Sequence, residues 1–290
     1  MSASPVDDAG SRLSYCAAQV RRHDRDRYLS ALFAPPVARE RLFALYAFNL
    51  EVAKTAELVN EPMLGHIRLQ WWREAIEGVY AGRPGAHAVI AALAEAVRGG
   101  GLTRGHFERL IEAREQDLDA AAPATMAALE AYAEGTSCTL IWLGLEALGA
   151  PHEAGRAAAR HVGIAWALAG LLRAVPFHAR QRRLYLPREV SAATGLAVAE
   201  LFALRSSPAL CAAVAQVAAR AEAHLAAARR RRTGRLARAA LPAMLPGALA
   251  ARDLRALRRA GHDPFAPAMQ GEHPGRIWPL AWAWLAGRYY

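Results

Sequence analysis

Arg39-Glu40-Arg41-Leu42-Phe43-Ala44-Leu45-Tyr46-Ala47-Phe48-Asn49-Leu50-Glu51-Val52-Ala53 is the stretch on which the fold reading turns. Leu42, Leu45, Tyr46, Phe48 and Val52 recur at helical spacing, and no period-two alternation competes with that pattern. Downstream, Ile67, Trp71, Ile76 and Tyr80 give a second helical face. Extended along the chain, the pattern predicts helices at about 12–31, 36–59, 62–81, 86–97, 103–119, 126–148, 153–178, 197–231, 236–260 and 275–289. Breakers separate them: Pro35-Pro36, Gly82 to Gly85, Gly99-Gly100-Gly101, Gly149 to Pro151, Gly261 to Pro264 and Gly271 to Gly275. None of these is long enough for a flexible linker, and no internal repeat or composition shift marks a second domain. The expectation is one all-α domain over 12–290, preceded by a disordered 1–11 and built as a bundle around a central cavity.

The composition narrows the functions open to such a bundle. The chain has 290 residues, 54% hydrophobic and 21% charged. Its longest stretch without a charged side chain, Ser206 to Ala219, is 14 residues, short of the roughly 18 to 20 that a spanning helix needs. Met1 to Gly10 shows neither a basic n-region nor an apolar h-region, so a cytoplasmic location is expected. The net charge of +10 comes almost wholly from arginine, Lys54 being the sole lysine, and such a field attracts anionic lipids or diphosphates. Nucleic acid is not an expected partner, since the densest basic run, Arg229 to Arg232, has no interleaved aromatics. Cys16, Cys138 and Cys211 lie too far apart in sequence to suggest a thiolate metal site and read as small core residues.

Common catalytic signatures are absent: there is no phosphate loop, nucleophile elbow or zinc helix. A Mg²⁺ site on helices needs carboxylates one turn apart, and no two of the eight aspartates are spaced by four. Glu108/Glu112 and Glu115/Asp119 have that spacing, but Arg109 and Arg114 are interspersed and the segment reads as a salt-bridged, solvated helix face. Two clusters remain. Arg173, His178, Arg180, Arg182 and Arg183 lead into Leu184-Tyr185-Leu186-Pro187, either as an anion site or as helix C-terminal cations favoured by the macrodipole. Trp278, Trp282, Trp284, Tyr289 and Tyr290 form either an interfacial surface or a terminal helix docked on the core.

From about Tyr28 to Tyr290 the ordered segments resemble the squalene/phytoene synthase family. The resemblance rests on Arg27-Tyr28-Leu29, the stretch from Arg39 to Phe48, Arg68-Leu69-Gln70-Trp71-Trp72-Arg73-Glu74 and Tyr80-Ala81-Gly82-Arg83-Pro84. It continues through Leu110 to Leu118, Gly163-Ile164-Ala165 and Arg183-Leu184-Tyr185-Leu186-Pro187. It implies an isoprenoid-synthase-like helical bundle with a central cavity. Active members use aspartates on two facing helices to hold Mg²⁺ against a prenyl diphosphate, where the metal neutralises charge developing on the leaving group. In this chain the first motif reads Ala53, Lys54 and Glu57, and the second reads Gly170, Leu171, Leu172, Arg173, Ala174 and His178. Four aspartates are thus Ala53, Glu57, Ala174 and His178, so no catalytic residues and no metal or other cofactor are expected.

The departures resemble those of a non-catalytic offshoot of the family that assists assembly of respiratory complex I. They are Ala47-Phe48-Asn49-Leu50-Glu51, Glu112 to Asp119, Tyr132 to Thr136 and Leu172-Arg173-Ala174-Val175-Pro176-Phe177-His178. With no transit peptide visible in Met1 to Gly10, the expectation is a bacterial relative at the cytoplasmic face of the inner membrane, in peripheral contact with it. Its partner would be a complex I subunit or assembly intermediate, and the inherited cavity would take an isoprenoid-like or anionic lipid or part of that partner. Residues expected to line a ligand or diphosphate-like site are Tyr46, Glu51, Arg173, His178, Arg183 and Tyr185. The first alternative is a divergent prenyl-diphosphate transferase using Mg²⁺, Glu51, Glu57 and the Arg173 to Arg183 cluster. A second is an isoprenoid-binding module with neither role.

Overall fold

The computed structural model describes residues 13–59, 61–150, 153–230, 238–271 and 274–289. These contain helices and no strand. In chain order the α-helices are α1 (Tyr15–His23), α2 (Arg25–Ala31), α3 (Pro36–Ala53), α4 (Thr55–Leu58), α5 (Pro62–Tyr80), α6 (Ala88–Gly100), α7 (Arg104–Glu115), α8 (Met126–Ala133) and α9 (Thr139–Ala147). They continue as α10 (Glu153–Arg173), α11 (Val175–Arg180), α12 (Arg188–Thr194), α13 (Val198–Phe202), α14 (Pro208–Arg230), α15 (Leu241–Met244), α16 (Pro246–Arg259) and α17 (Ile277–Leu285). The expected disordered segment 1–11 and the readings at Arg231, Arg232 and Tyr290 lie outside the described residues.

Two apolar clusters form the interior. One gathers α1, α3, α5, α6 and α7 around Phe43, Phe48, Trp72 and Phe107, with Phe48 meeting Trp72 and Phe107 edge to face at 5.5 and 5.3 Å. The other gathers α10, α14, α16 and α17 around Val162, Ile164, Leu168, Val214, Leu249 and Leu280. Apart from Thr139 and Glu146, helix α9 is apolar on all sides, which is how a sequence marks an enclosed helix. Its Leu140 and Leu143 join the first cluster while Ile141, Trp142 and Leu145 join the second, so α9 runs along their seam.

Seven of the ten expected helices are broken, 36–59 at Lys54 and 236–260 at Leu245 among them, and several of the breaks have a visible local cause. The 12–31 helix divides at Asp24, whose backbone leaves the helical region (φ −144°, ψ 70°) and whose carboxylate caps the Arg27 amide at 3.1 Å. The 103–119 helix tightens into a 3₁₀ turn at Gln116–Leu118, and this carries Asp117 inward, so the segment is not a solvated face throughout. Glu108 does pair with Arg104 at the surface, and Glu115 pairs with Arg73 on α5. The 126–148 helix widens into one π turn at Glu134–Cys138, and 153–178 stops at Arg173 because Pro176 has no N–H for the Leu172 carbonyl. The 197–231 helix is interrupted after Phe202 and restarts at Pro208, and α12 is a helix that the periodicity did not predict.

Gly163 explains how α10 reaches the seam. A Cβ there would sit 2.8 Å from the Cα of Cys138 and 2.9 Å from its backbone nitrogen, so only glycine lets α10 close on the π turn. That close approach brings the end of α10, the π turn and the α1–α2 corner around a common space.

Candidate functional site

The space is a cavity of about 500 Å³ between the two clusters. Its first wall is the α1–α2 corner, where the Asp24 kink turns Arg22, His23, Asp24, Arg25, Asp26 and Arg27 towards it in succession. Opposite stand Arg114 of α7, Thr136 and Ser137 of the π turn, and Trp166, Gly170 and Arg173 of α10; Arg276, just before α17, closes one end. Six arginines thus face two aspartates, Asp24 and Asp26, across a lining that also includes the apolar Trp166, Ala167 and Leu171. This suits a molecule with an anionic end and an apolar body.

The carboxylates are committed. Asp26 of α2 and Asp253 of α16, both buried, are bridged by the Arg276 guanidinium. Its Nη2 donates to Asp26 at 2.7 Å and to Asp253 at 2.9 Å, its Nη1 donates to Asp253 at 2.9 Å, and its Nε donates to Asp26. Arg173 Nη1 adds bonds to both carboxylates at 3.1 and 3.0 Å, and its guanidinium lies against the Trp166 ring. Burial alone would raise the Asp26 carboxyl, but bonds and charge from Arg276 and Arg173 outweigh it and hold the group below the usual carboxylate range. Asp24 forms an ion pair with Arg27.

A second network props the far wall. The Asp117 carboxylate accepts from Arg114 Nη1 at 3.0 Å, from the Tyr132 hydroxyl at 2.8 Å and from the Tyr185 hydroxyl at 2.9 Å, while Arg114 Nη1 also donates to the Tyr132 oxygen at 2.8 Å. Arg183 donates to the backbone carbonyls of Asp117 and Asp119. Two polar atoms at this wall, Arg114 Nε and Ser137 Oγ, are buried with no hydrogen-bond partner among the described residues. Both belong to residues lining the cavity, where a ligand oxygen could satisfy them.

Of the residues expected at a ligand site, only Arg173 lines this cavity. Tyr46 is buried under Arg27, which approaches its ring at 5.8 Å; Glu51 is paired with Arg68 at 2.9 Å. His178, Arg183 and Tyr185 surround a separate apolar space of only about 10 Å³, room for one water at most. There the His178 and Tyr185 rings lie 4.6 Å apart, and burial, then the charge of Arg183, push the imidazole down to about 4, against a smaller upward pull from Asp117. Ala53, Lys54 and Ala174 are half-buried and Glu57 is exposed; none of them lines the cavity, and the pKa of His23, which does, is lowered by burial and then by the charges of Lys54 and Arg22.

The donor set does not fit Mg²⁺. A hard cation needs several carboxylate oxygens free of other partners, whereas Asp24, Asp26 and Asp253 are taken by guanidinium groups. Among the described residues no three His, Cys, Asp or Glu side chains converge as a metal site would require.

Sequence reasoning passed over the α1–α2 corner, Asp253 and Arg276. A signal for Asp253 was present, since it falls on the Leu249–Leu257 stripe of α16, and a charge on an apolar stripe calls for a buried partner. Nothing comparable marks Arg276, whose partners lie 250 and 23 residues away in sequence.

Comparison with known proteins adds the lineage. The family model described as Squalene/phytoene synthase matches residues 20–278. The chain is 32% identical over 256 residues to "NADH dehydrogenase (ubiquinone) complex I, assembly factor 6" of Rattus norvegicus, covering 88% of this chain and 77% of that protein. It is also 31% identical over 202 residues to the presqualene diphosphate synthase of Rhodopseudomonas palustris, covering 69% of this chain and 72% of the other. In fold it is similar to the crystal structure of squalene synthase HpnC from Alicyclobacillus acidocaldarius, with a TM-score of 0.75 at 22% identity over 86% of this chain and 94% of that one.

Proposed function

Because the chain belongs to the squalene/phytoene synthase family, we propose that it is a non-catalytic member that assists assembly of respiratory complex I at the cytoplasmic face of the bacterial inner membrane. In this reading it engages a complex I subunit or assembly intermediate, and its cavity receives an anionic, isoprenoid-like lipid held by arginine rather than by metal. The observation that carries the reading is the commitment of Asp26 and Asp253 to Arg276 and Arg173, two of the six arginines that line the cavity. Such a lining attracts a diphosphate or a similar head group directly, but it lacks the divalent charge that would draw off a leaving group. The relatives named for complex I assembly support the partner assignment. No helix among the described residues is long and apolar enough to cross a membrane, in keeping with peripheral attachment.

Deleting the gene and measuring complex I by native gel and NADH oxidation tests the assembly role. The deletion lowers complex I while leaving other respiratory complexes in place. Re-expression restores it, whereas Arg22→Glu with Arg25→Glu, both on the cavity wall, restores it poorly. Normal complex I in the deletion strain overturns the reading.

A further inference from the structure

Helix α17 keeps two faces. Leu280 and Ala283 are buried in the core and Trp284 packs on Phe33 at 5.9 Å, but Trp278, Trp282 and Leu285 project outward, 73%, 60% and 66% exposed. Their spacing of four and three residues sets them in one stripe. Three large apolar side chains so exposed are unusual on a helix whose other side is docked, and tryptophan favours a boundary where the indole ring is half-wet.

The surroundings of the stripe are cationic. Arg288 stands over the Trp282 ring at 6.0 Å. On the other side, Pro279 of α17 shares a surface depression of about 430 Å³ with Arg173, Arg252, Arg255 and Arg259, whose only acidic lining residue is Asp253. Asp253 is already bound by Arg173, Arg252 and Arg276, and Arg255 and Arg259 make no ion pair with the described residues. Four arginines against one committed aspartate leave this depression strongly positive beside the tryptophans.

We propose that α17 and the outer face of α16 form a docking surface for an anionic lipid membrane, with Trp278, Trp282 and Leu285 entering the interfacial layer and Arg252, Arg255, Arg259 and Arg288 meeting lipid head groups. Charge complementarity selects this occupant. Interfacial tryptophan beside clustered arginine matches a surface that is apolar below and negative above, whereas a neutral protein groove would leave the arginines without counter-charges. Contrast comes from a second exposed apolar stripe, Met63, Ile67 and Trp71 of α5, which lies near the exposed Glu61 and Glu74 and does not suit an anionic surface. Arg173 lines both the depression and the central cavity, so a docked protein has its ligand cavity next to the bilayer. The inference borrows only the membrane location from the proposed function, and vesicle binding is read independently of any complex I phenotype.

Flotation of the purified protein with vesicles of phosphatidylcholine alone, or with added phosphatidylglycerol, tests it. Binding appears only with phosphatidylglycerol, weakens with salt, and shifts the tryptophan emission to the blue. Removing two cations by Arg255→Glu and Arg259→Glu lowers affinity by about thirtyfold or more, taking about 1 kcal/mol per arginine at the surface. Trp278→Ala with Trp282→Ala abolishes the blue shift, and Ile67→Glu on α5 changes nothing; circular dichroism checks that each variant is folded. Equal binding to neutral vesicles, no binding to either kind, or the same loss in Ile67→Glu overturns the proposal. So does concentration-dependent dimerisation lost in the tryptophan variant, which would assign the stripe to a second copy of the chain.

Discussion

Arg276 shows at the scale of one side chain how the cavity is organised, because its guanidinium lies between two buried carboxylates from helices far apart in sequence. Removing it leaves Asp26 and Asp253 with only the partly exposed Arg173 as a shared partner. Arg276→Met is expected to cost about 3 kcal/mol, the lower end of the usual penalty for removing one partner of a buried ion pair, and Asp253→Asn in the same chain recovers part of the loss. Denaturant melts of both variants measure this. Two other residues contribute to the response to acid. The stability that Asp26 contributes is complete above the ordinary carboxylate pKa and is lost as pH falls through its lowered native value. His178, pushed down to about 4 against 6.5 when unfolded, is neutral in the native protein at neutral pH. The unfolded chain therefore binds the extra proton between those values, and stability drops by up to about 3 kcal/mol as pH falls from 6.5 to 4. His178→Gln makes that interval shallower, and Asp26→Asn acts on the limb below it; chemical denaturation across this pH range separates the two.

At the scale of helices, the apolar period located most of the bundle, because residues such as Leu42, Leu45 and Phe48 have nowhere to go except a core. It failed where a short-range event overrode it. Asp24 caps a new helix start, Pro176 withholds a donor, and the π turn at Glu134–Cys138 has the same residue pattern as the α-helices flanking it. Two of these breaks, the Asp24 kink and the π turn, build walls of the cavity, so the least legible positions supply much of the site. Arg173 was legible because the basic cluster after α10 drew attention to it. Arg22, Arg25, Arg27 and Arg114 were not, since arginine is frequent throughout the chain and only the fold gathers them. The close contact of α10 with the π turn gives a test of this architecture. Gly163→Ala pushes a methyl group into the Cys138 backbone and is expected to destabilise by about 1 to 3 kcal/mol, whereas Gly170→Ala, with no atom within 4 Å of the added carbon, stays close to the parent. Thermal melts of the pair distinguish a specific contact from a general sensitivity of α10.

Across the whole molecule, the excess of ten positive charges is not spread evenly. One concentration faces inward on the cavity wall and a second faces outward beside α17, with Arg173 common to both. Asp26 and Asp253 balance two members of the inner group, Arg173 and Arg276, and in doing so tie α2, α10, α16 and the segment before α17 together. On the proposed reading, this arginine-held frame stands in a cavity that takes its anionic ligand without a metal. Incubating the purified protein with farnesyl diphosphate, and following both binding and diphosphate release with Mg²⁺ or with EDTA, bears most directly on this conclusion. An arginine-lined cavity binds the diphosphate equally well in EDTA and releases no diphosphate above the protein-free rate in Mg²⁺. Release that requires Mg²⁺ and disappears in Glu57→Ala would instead establish a working transferase.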